Sequence, residues 1–137
     1  MIYFVSGHRD LTKEEFSRHY RSLLINIIDN DPFAEFIVGD WEGCDSMFIN
    51  FLLSLPEYPP ITVYHVEQTP RITYDGESLP NFENVYFRQC ATYDECDECM
   101  TRDSTFDVAW IRPGRGDSHT AKNIKRRYGL NNESTTQ

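Results

Sequence analysis

The chain of 137 residues is poor in several things, and each shortage removes a class of function. No stretch approaches the roughly eighteen consecutive apolar residues of a membrane-spanning helix. The first apolar run, Ile2 to Val5, meets His8, Arg9 and Asp10 too soon for a signal peptide, so a cytoplasmic location is expected. Positive charge is scarce: 13 Lys and Arg against 22 Asp and Glu leave a formal charge of −9. DNA, RNA and anionic membranes need a basic face that releases counterions, so neither long nucleic acid nor membrane is an expected partner. A small anion in a local basic pocket is still allowed. The phosphate loop GxxxxGK[ST], the GxGxxG fingerprint, the GxSxG elbow and the HExxH helix are all missing, which takes the main support from the common NTPase, dehydrogenase, hydrolase-fold and zincin readings.

Cysteine is sparse too. Cys44, Cys90, Cys96 and Cys99 in a reducing compartment read as thiols rather than a disulfide framework. The Cys96-x-x-Cys99 spacing invites a metal, but zinc would need two more ligands, and Cys90 with a distant histidine makes a poor second pair. Thr92-x-x-Glu95 reads instead as a capping box opening a helix whose apolar face is Tyr93, Cys96, Cys99 and Met100. Neither metal nor cofactor is expected.

What is present is the composition of a folded protein, 39% hydrophobic and 14% aromatic. The length suits a single domain over residues 1–130, followed by a disordered tail at 131–137. Ile2 to Gly7 reads as a strand ended by glycine. A helix follows, with Thr12 as N-cap, Glu15 closing the box, Leu11 stapled to Phe16, and a face of Phe16, Tyr20, Leu23, Leu24, Ile27 and Ile28. Ala34 to Val38 predicts a second strand, and Cys44 or Asp45 to Leu55 a second helix ended by Pro56. Ile61 to Val66 is the third strand, and Phe106 to Arg112 a later one. A last helix runs from about Ser118 to Tyr128, with Gly129 as its stop. Between them, residues 67–91 are too long for an ordinary connection: a functional flap, or further elements such as a hairpin at Asp75-Gly76 and a strand in "NVYFRQ". Short apolar strands alternating with helices predict an α/β fold, a single Rossmann-like three-layer sandwich with a mostly parallel central sheet.

Ligands of such sheets bind at the carboxyl ends of the strands. Three loops are expected there. Ser6, Gly7, His8 and Arg9 follow the first strand; His8 is an acid or base or a plain loop residue, and Arg9 a ligand or a surface charge. Gly39, Asp40, Gly43, Cys44 and Asp45 follow the second, where the glycines allow a sharp turn and the helix N-terminus attracts an anion. Asp45 is either the N-cap of that helix or a ligand to sugar hydroxyls or a base, as Asp40 also can be. Arg112, Pro113, Gly114, Arg115, Ser118, His119 and Thr120 suit phosphate, with charge, loose backbone and hydroxyls at a helix start. Lys122, Lys125, Arg126 and Arg127 read as a solvated face.

The segments "FVSGHRDLTKEEF", "FIVGDWEGCDSM" and "FDVAWIRPGRGDSHTAKNIKRR" together resemble the SLOG superfamily of small Rossmann-type nucleotide-binding proteins, which includes the LOG phosphoribohydrolases and DNA-processing protein A. They are also similar to the neighbouring nucleoside 2-deoxyribosyltransferase-like group. The resemblance implies a small-molecule nucleotide or derivative held by the three loops, a possible homo-oligomer, and in some members cleavage of the N-glycosidic bond. LOG enzymes carry Pro-Gly-Gly-x-Gly-Thr-x-x-Glu. Here Pro113-Gly114 begins similarly, four extra residues precede Thr120, and Asn123 stands where that glutamate would be. Asparagine can bond a ribose but cannot act as base or nucleophile. The resemblance therefore implies a noncatalytic sensor or sequestering module; the alternative is an N-glycosidase or deoxyribosyltransferase acting through Asp45 or Asp40.

Overall fold

A computed structural model describes the backbone of residues 1–135 and the side chains of residues 1–129. Strand β1 (Ile2–Val5) leads into a continuous helical rod made of α1 (Lys13–Phe16), a π-helical turn (Ser17–Arg21) and α2 (Ser22–Asn30). Then come β2 (Glu35–Val38), α3 (Cys44–Leu53), β3 (Ile61–His65), the short β4 (Thr73–Tyr74) and β5 (Glu77–Ser78), β6 (Val85–Gln89), α4 (Tyr93–Asp103), β7 (Phe106–Val108) and α5 (His119–Thr135).

The five long strands form one parallel sheet in the order β6-β3-β2-β1-β7. Alternation along each strand splits the core in two, because successive side chains face opposite sides. Val5, Phe36, Val38, Ile61, Val63 and Val108 meet Phe16, Tyr20, Leu24, Phe48 and Leu52 of the rod and α3. On the other face Phe4, Ile37 and Tyr64 meet Cys90 and the Cys96 and Met100 of α4, with α5 packed against α4. The architecture is thus the expected α/β three-layer sandwich. No helix among the described residues is long and apolar enough to cross a membrane.

The capping box forms as expected: Thr12 Oγ1 accepts from Glu15 N at 3.1 Å and Glu15 Oε1 from Thr12 N at 3.0 Å. The box at α4 is half formed. Thr92 Oγ1 accepts from Glu95 N, but the Glu95 carboxylate reaches back to Ala91 N rather than to Thr92. Residues 67–91 hold both suspected elements, the β4–β5 hairpin turning on Asp75 and Gly76 at positive φ, and β6 as an edge strand. All four cysteines are free, and Cys44, Cys90 and Cys96 are buried.

Several expectations need correcting. Leu23 is exposed; the π turn inserts extra residues into the rod and rotates the following positions away from plain 3.6-residue spacing. The β7 strand stops at Val108 instead of continuing to Arg112, because the next free backbone donor, Trp110 N, turns to the Tyr20 hydroxyl at 3.0 Å. Gly129 does not stop α5, since it lacks the positive φ that a glycine stop requires. Of the expected tail, residues 131–135 continue the helical backbone and 136–137 lie outside the described residues. Arg127 is no solvated residue: its guanidinium donates to the Thr101 and Ser104 carbonyls at 2.9 and 2.6 Å and pairs with Asp107 at 3.1 Å, tying α5 to α4 and β7.

Candidate functional site

The strand order reverses between β1 and β7, and a crevice opens at their carboxyl ends as open parallel sheets lead one to expect. Two cavities meet there. An inner one of about 90 Å³ is lined from β1, β2, α3, α4, α5 and residue 71, and an outer one of about 300 Å³ lies between the β1 loop and the start of α5. They share Gly7, Arg9, His119 and Thr120. Together they fall in the size range of small-molecule sites, roughly 300 to 1,000 Å³.

Close backbone approach makes the inner cavity. A Cβ on Gly43 would lie 2.5 Å from the Arg9 carbonyl, so only glycine lets the two loops meet. A Cβ on Gly39 would lie 2.8 Å from Asp45 Oδ2. Tyr20 fixes the β1 side from behind: its hydroxyl donates to the Ser6 carbonyl at 2.7 Å and accepts from Trp110 N.

Of the residues expected to bind, Ser6, Gly7, Arg9, Gly39, Asp40, Cys44, Asp45, His119, Thr120 and Asn123 line the inner cavity, and His8 and Ser118 line the outer one. Arg112, Pro113, Gly114 and Gly43 line neither. Arg112 is corrected from anion ligand to strut: it makes a two-bond fork to Glu15, at 2.9 and 2.8 Å, and reaches Asp10 at 3.1 Å. That fork holds the Glu15 carboxyl down at about 2. Gly114 serves a turn at φ +83°. Ser118 caps α5, its Oγ accepting from Ala121 N at 3.2 Å. Arg115 and Lys122 stand at the outer cavity with Asp117.

His8 is buried, and its Nε2 accepts from Arg112 N at 2.6 Å while Nδ1 has no partner among the described residues. Burial first, and then Arg112 and Arg115, push its pKa down, so it stays neutral and clamps the β7 loop. Cys44 donates to the Gly7 carbonyl at 3.4 Å; burial raises its pKa and leaves an inert thiol.

The two aspartates of the β2 loop have different fates. Asp40 is buried and accepts from Arg71 N, Nε and Nη2 at 2.9, 3.2 and 2.8 Å. Its charge is fully matched. Asp45 does not cap its helix, whose N-cap is Gly43 with no side-chain bond. Instead Oδ2 accepts from Trp41 N at 2.9 Å, closing the loop, while Oδ1 meets only the Cys44 thiol at 3.8 Å. Burial pushes this carboxyl up to about 7. Asp97 of α4, 3.8 Å from His119 Nδ1, is also raised by burial.

Eight lining residues escaped sequence reasoning as ligands: Phe4, Tyr64, Tyr93, Cys96 and Met100, which it placed on apolar strand or helix faces, and Trp41, Arg71 and Asp97. Arg71 lies in the unassigned interval, its guanidinium 4.3 Å from the Tyr93 ring and 5.0 Å from the Trp41 ring, with Arg9 on Trp41 at 4.4 Å. Tyr93 and Asp97 sit on the acidic helix read only for its cysteine face; Asp94 and Asp97, three apart, were the available sign of a second helical face.

No family model, curated protein or solved structure matches the chain. Its chemistry rests on the residues themselves. Ser6 Oγ and Thr120 Oγ1 are buried, line the inner cavity and have no partner among the described residues. Buried hydroxyls of this kind cost free energy unless something bonds them. With the first turn of α5 and Arg9 beside them, the cleft offers donors to an anion at its mouth and polar partners within.

Proposed function

We propose that the protein binds a nucleotide or nucleotide-derived small molecule at the carboxyl ends of its parallel strands, as a noncatalytic sensor or sequestering module of the SLOG type. The observation that carries this reading is the junction at Gly7, Arg9, His119 and Thr120, where an inner cavity of aromatic rings, carboxylates and hydroxyls opens onto a basic groove at a helix N-terminus. That arrangement suits a phosphate outside and a base or sugar inside. Binding without catalysis is favoured by Asn123 in place of the LOG glutamate and by Asp40, whose carboxylate Arg71 has already neutralised.

A thermal-shift screen with nucleoside phosphates, NAD, ADP-ribose and cyclic dinucleotides tests it. A ligand at a hundred times its Kd stabilises by about 2.7 kcal/mol, a rise of roughly 10 °C for a domain of this size. No shift with any of them refutes the proposal.

One observation favours a second reading, N-glycosidic bond cleavage. Asp45 is a buried carboxyl raised to about 7 in the cavity, the range wanted of an acid or base at neutral pH. Release of free base from a nucleoside monophosphate, abolished in Asp45→Asn, would establish it; the absence of base release leaves the binding module.

A further inference from the structure

Resting on the nucleotide-binding reading, we infer that the inner cavity selects bases with an exocyclic amino group, cytosine, adenine or guanine, over oxo bases such as uracil, thymine and hypoxanthine, and that Asp45 Oδ1 makes the choice. The inner cavity holds three carboxylates. Asp40 is satisfied by Arg71; Asp45 and Asp97 are not matched in the same way. Asp45 is nine-tenths buried, and one of its oxygens is fixed by Trp41 N while the other has no N–H or O–H donor among the described residues. A carboxylate oxygen so placed accepts, and what it lacks is a donor. An amino group supplies two N–H bonds. Where the amino bases carry that group the oxo bases carry a carbonyl oxygen, which a carboxylate repels; their ring N–H is the one donor they offer on that edge, and presenting it to Oδ1 brings the adjacent carbonyl toward the same charge. The remaining charged and titratable groups facing the cavity are Arg9 from the β1 loop, Tyr64 from β3, His119 from α5, Cys44 from α3 and Cys96 and Tyr93 from α4.

The Trp41 bond also dictates what a variant must do. In Asp45→Asn the Trp41 N–H demands the amide oxygen at the Oδ2 position, so the amide NH2 takes the Oδ1 position and the acceptor becomes a donor. Preference then turns toward the oxo base.

Isothermal titration of the full chain at mildly alkaline pH compares CMP with UMP, and AMP with IMP, against the wild type and Asp45→Asn. CMP and AMP are expected to bind the wild type at least about tenfold more tightly than UMP and IMP, as for a hydrogen bond to a charged group, with the ratio reversed in the variant. Equal affinities in the wild type overturn the inference and leave the nucleotide proposal standing; failure of all four to bind, together with a blank thermal-shift screen, removes both. If Asp45→Asn does not fold, the wild type alone decides. CMP affinity must then rise from about pH 6 to about pH 8 as the carboxyl ionises, and a flat profile overturns the assignment.

Discussion

Replacing Asp45 by asparagine should stabilise the protein in mild alkali and leave it almost unchanged in acid. The carboxyl titrates near 7 in the folded chain because burial disfavours its charge, against 3.8 ordinarily. Below about pH 4 both folded and unfolded chains hold the proton, and Asp45 contributes no pH dependence. Between about 4 and 7 the unfolded chain releases a proton that the folded chain keeps, so stability falls as pH rises; above about 7 the whole cost is present and the curve flattens. A gap of roughly three pH units at 1.36 kcal/mol each amounts to about 4 kcal/mol. Asparagine removes this titration while its amide oxygen keeps the bond to Trp41 N. Urea unfolding of both proteins at about pH 4, 6 and 8 measures the difference, which should grow by a few kcal/mol across the series. Asp97, Asp40 and Arg71 are present in both chains and largely cancel. A difference that does not change with pH, or one that grows toward acid, would refute the assignment of Asp45 as the buried titrating group.

Two further perturbations probe the same crevice. Arg71→Met removes the guanidinium and leaves the buried Asp40 carboxylate with only the backbone N–H of residue 71, and should cost about 3 kcal/mol in chemical denaturation, the low end for a broken buried pair because that N–H remains; an unchanged midpoint would show that the pair is unimportant. Tyr20→Phe deletes the hydroxyl joining Ser6 to Trp110 and leaves the part-buried Trp110 amide without its acceptor, so a loss of about 1 kcal/mol and faster hydrogen exchange at Trp110 N are expected. An unperturbed exchange rate there would contradict the bridge.

Local chemistry was legible in the sequence and long-range pairing was not. The Thr12 and Glu15 box, the Asp75-Gly76 turn and the apolar strands each carry their cause within a few residues, so periodicity and turn rules find them. The crevice at the strand ends follows from the alternation of strands and helices. Arg71 was invisible because its partner Asp40 lies 31 positions away, in a different loop. Arg112 misled for the converse reason. An arginine beside Pro-Gly in a basic loop looks like an anion ligand until the rod, 97 positions earlier, brings Glu15 to it. Asp45 illustrates a third limit: an aspartate at a helix start is equally cap or ligand by its neighbours alone, and only the fold shows that glycine takes the cap and the carboxyl turns back onto Trp41.

The segment that carries Arg71 is hung from side chains rather than woven into the sheet. Thr73 bonds Ser46 and Asn50 of α3, and Asp75 N bonds Asn50 Oδ1, while β4 and β5 pair only with each other. Arg71 and the buried Ile72 pin that wall of the crevice to Asp40 and the core, and the hairpin beyond them is the interchangeable part. Its length can drift while the Arg71–Asp40 pair, the parallel strands and the helix ends behind them keep the crevice in place.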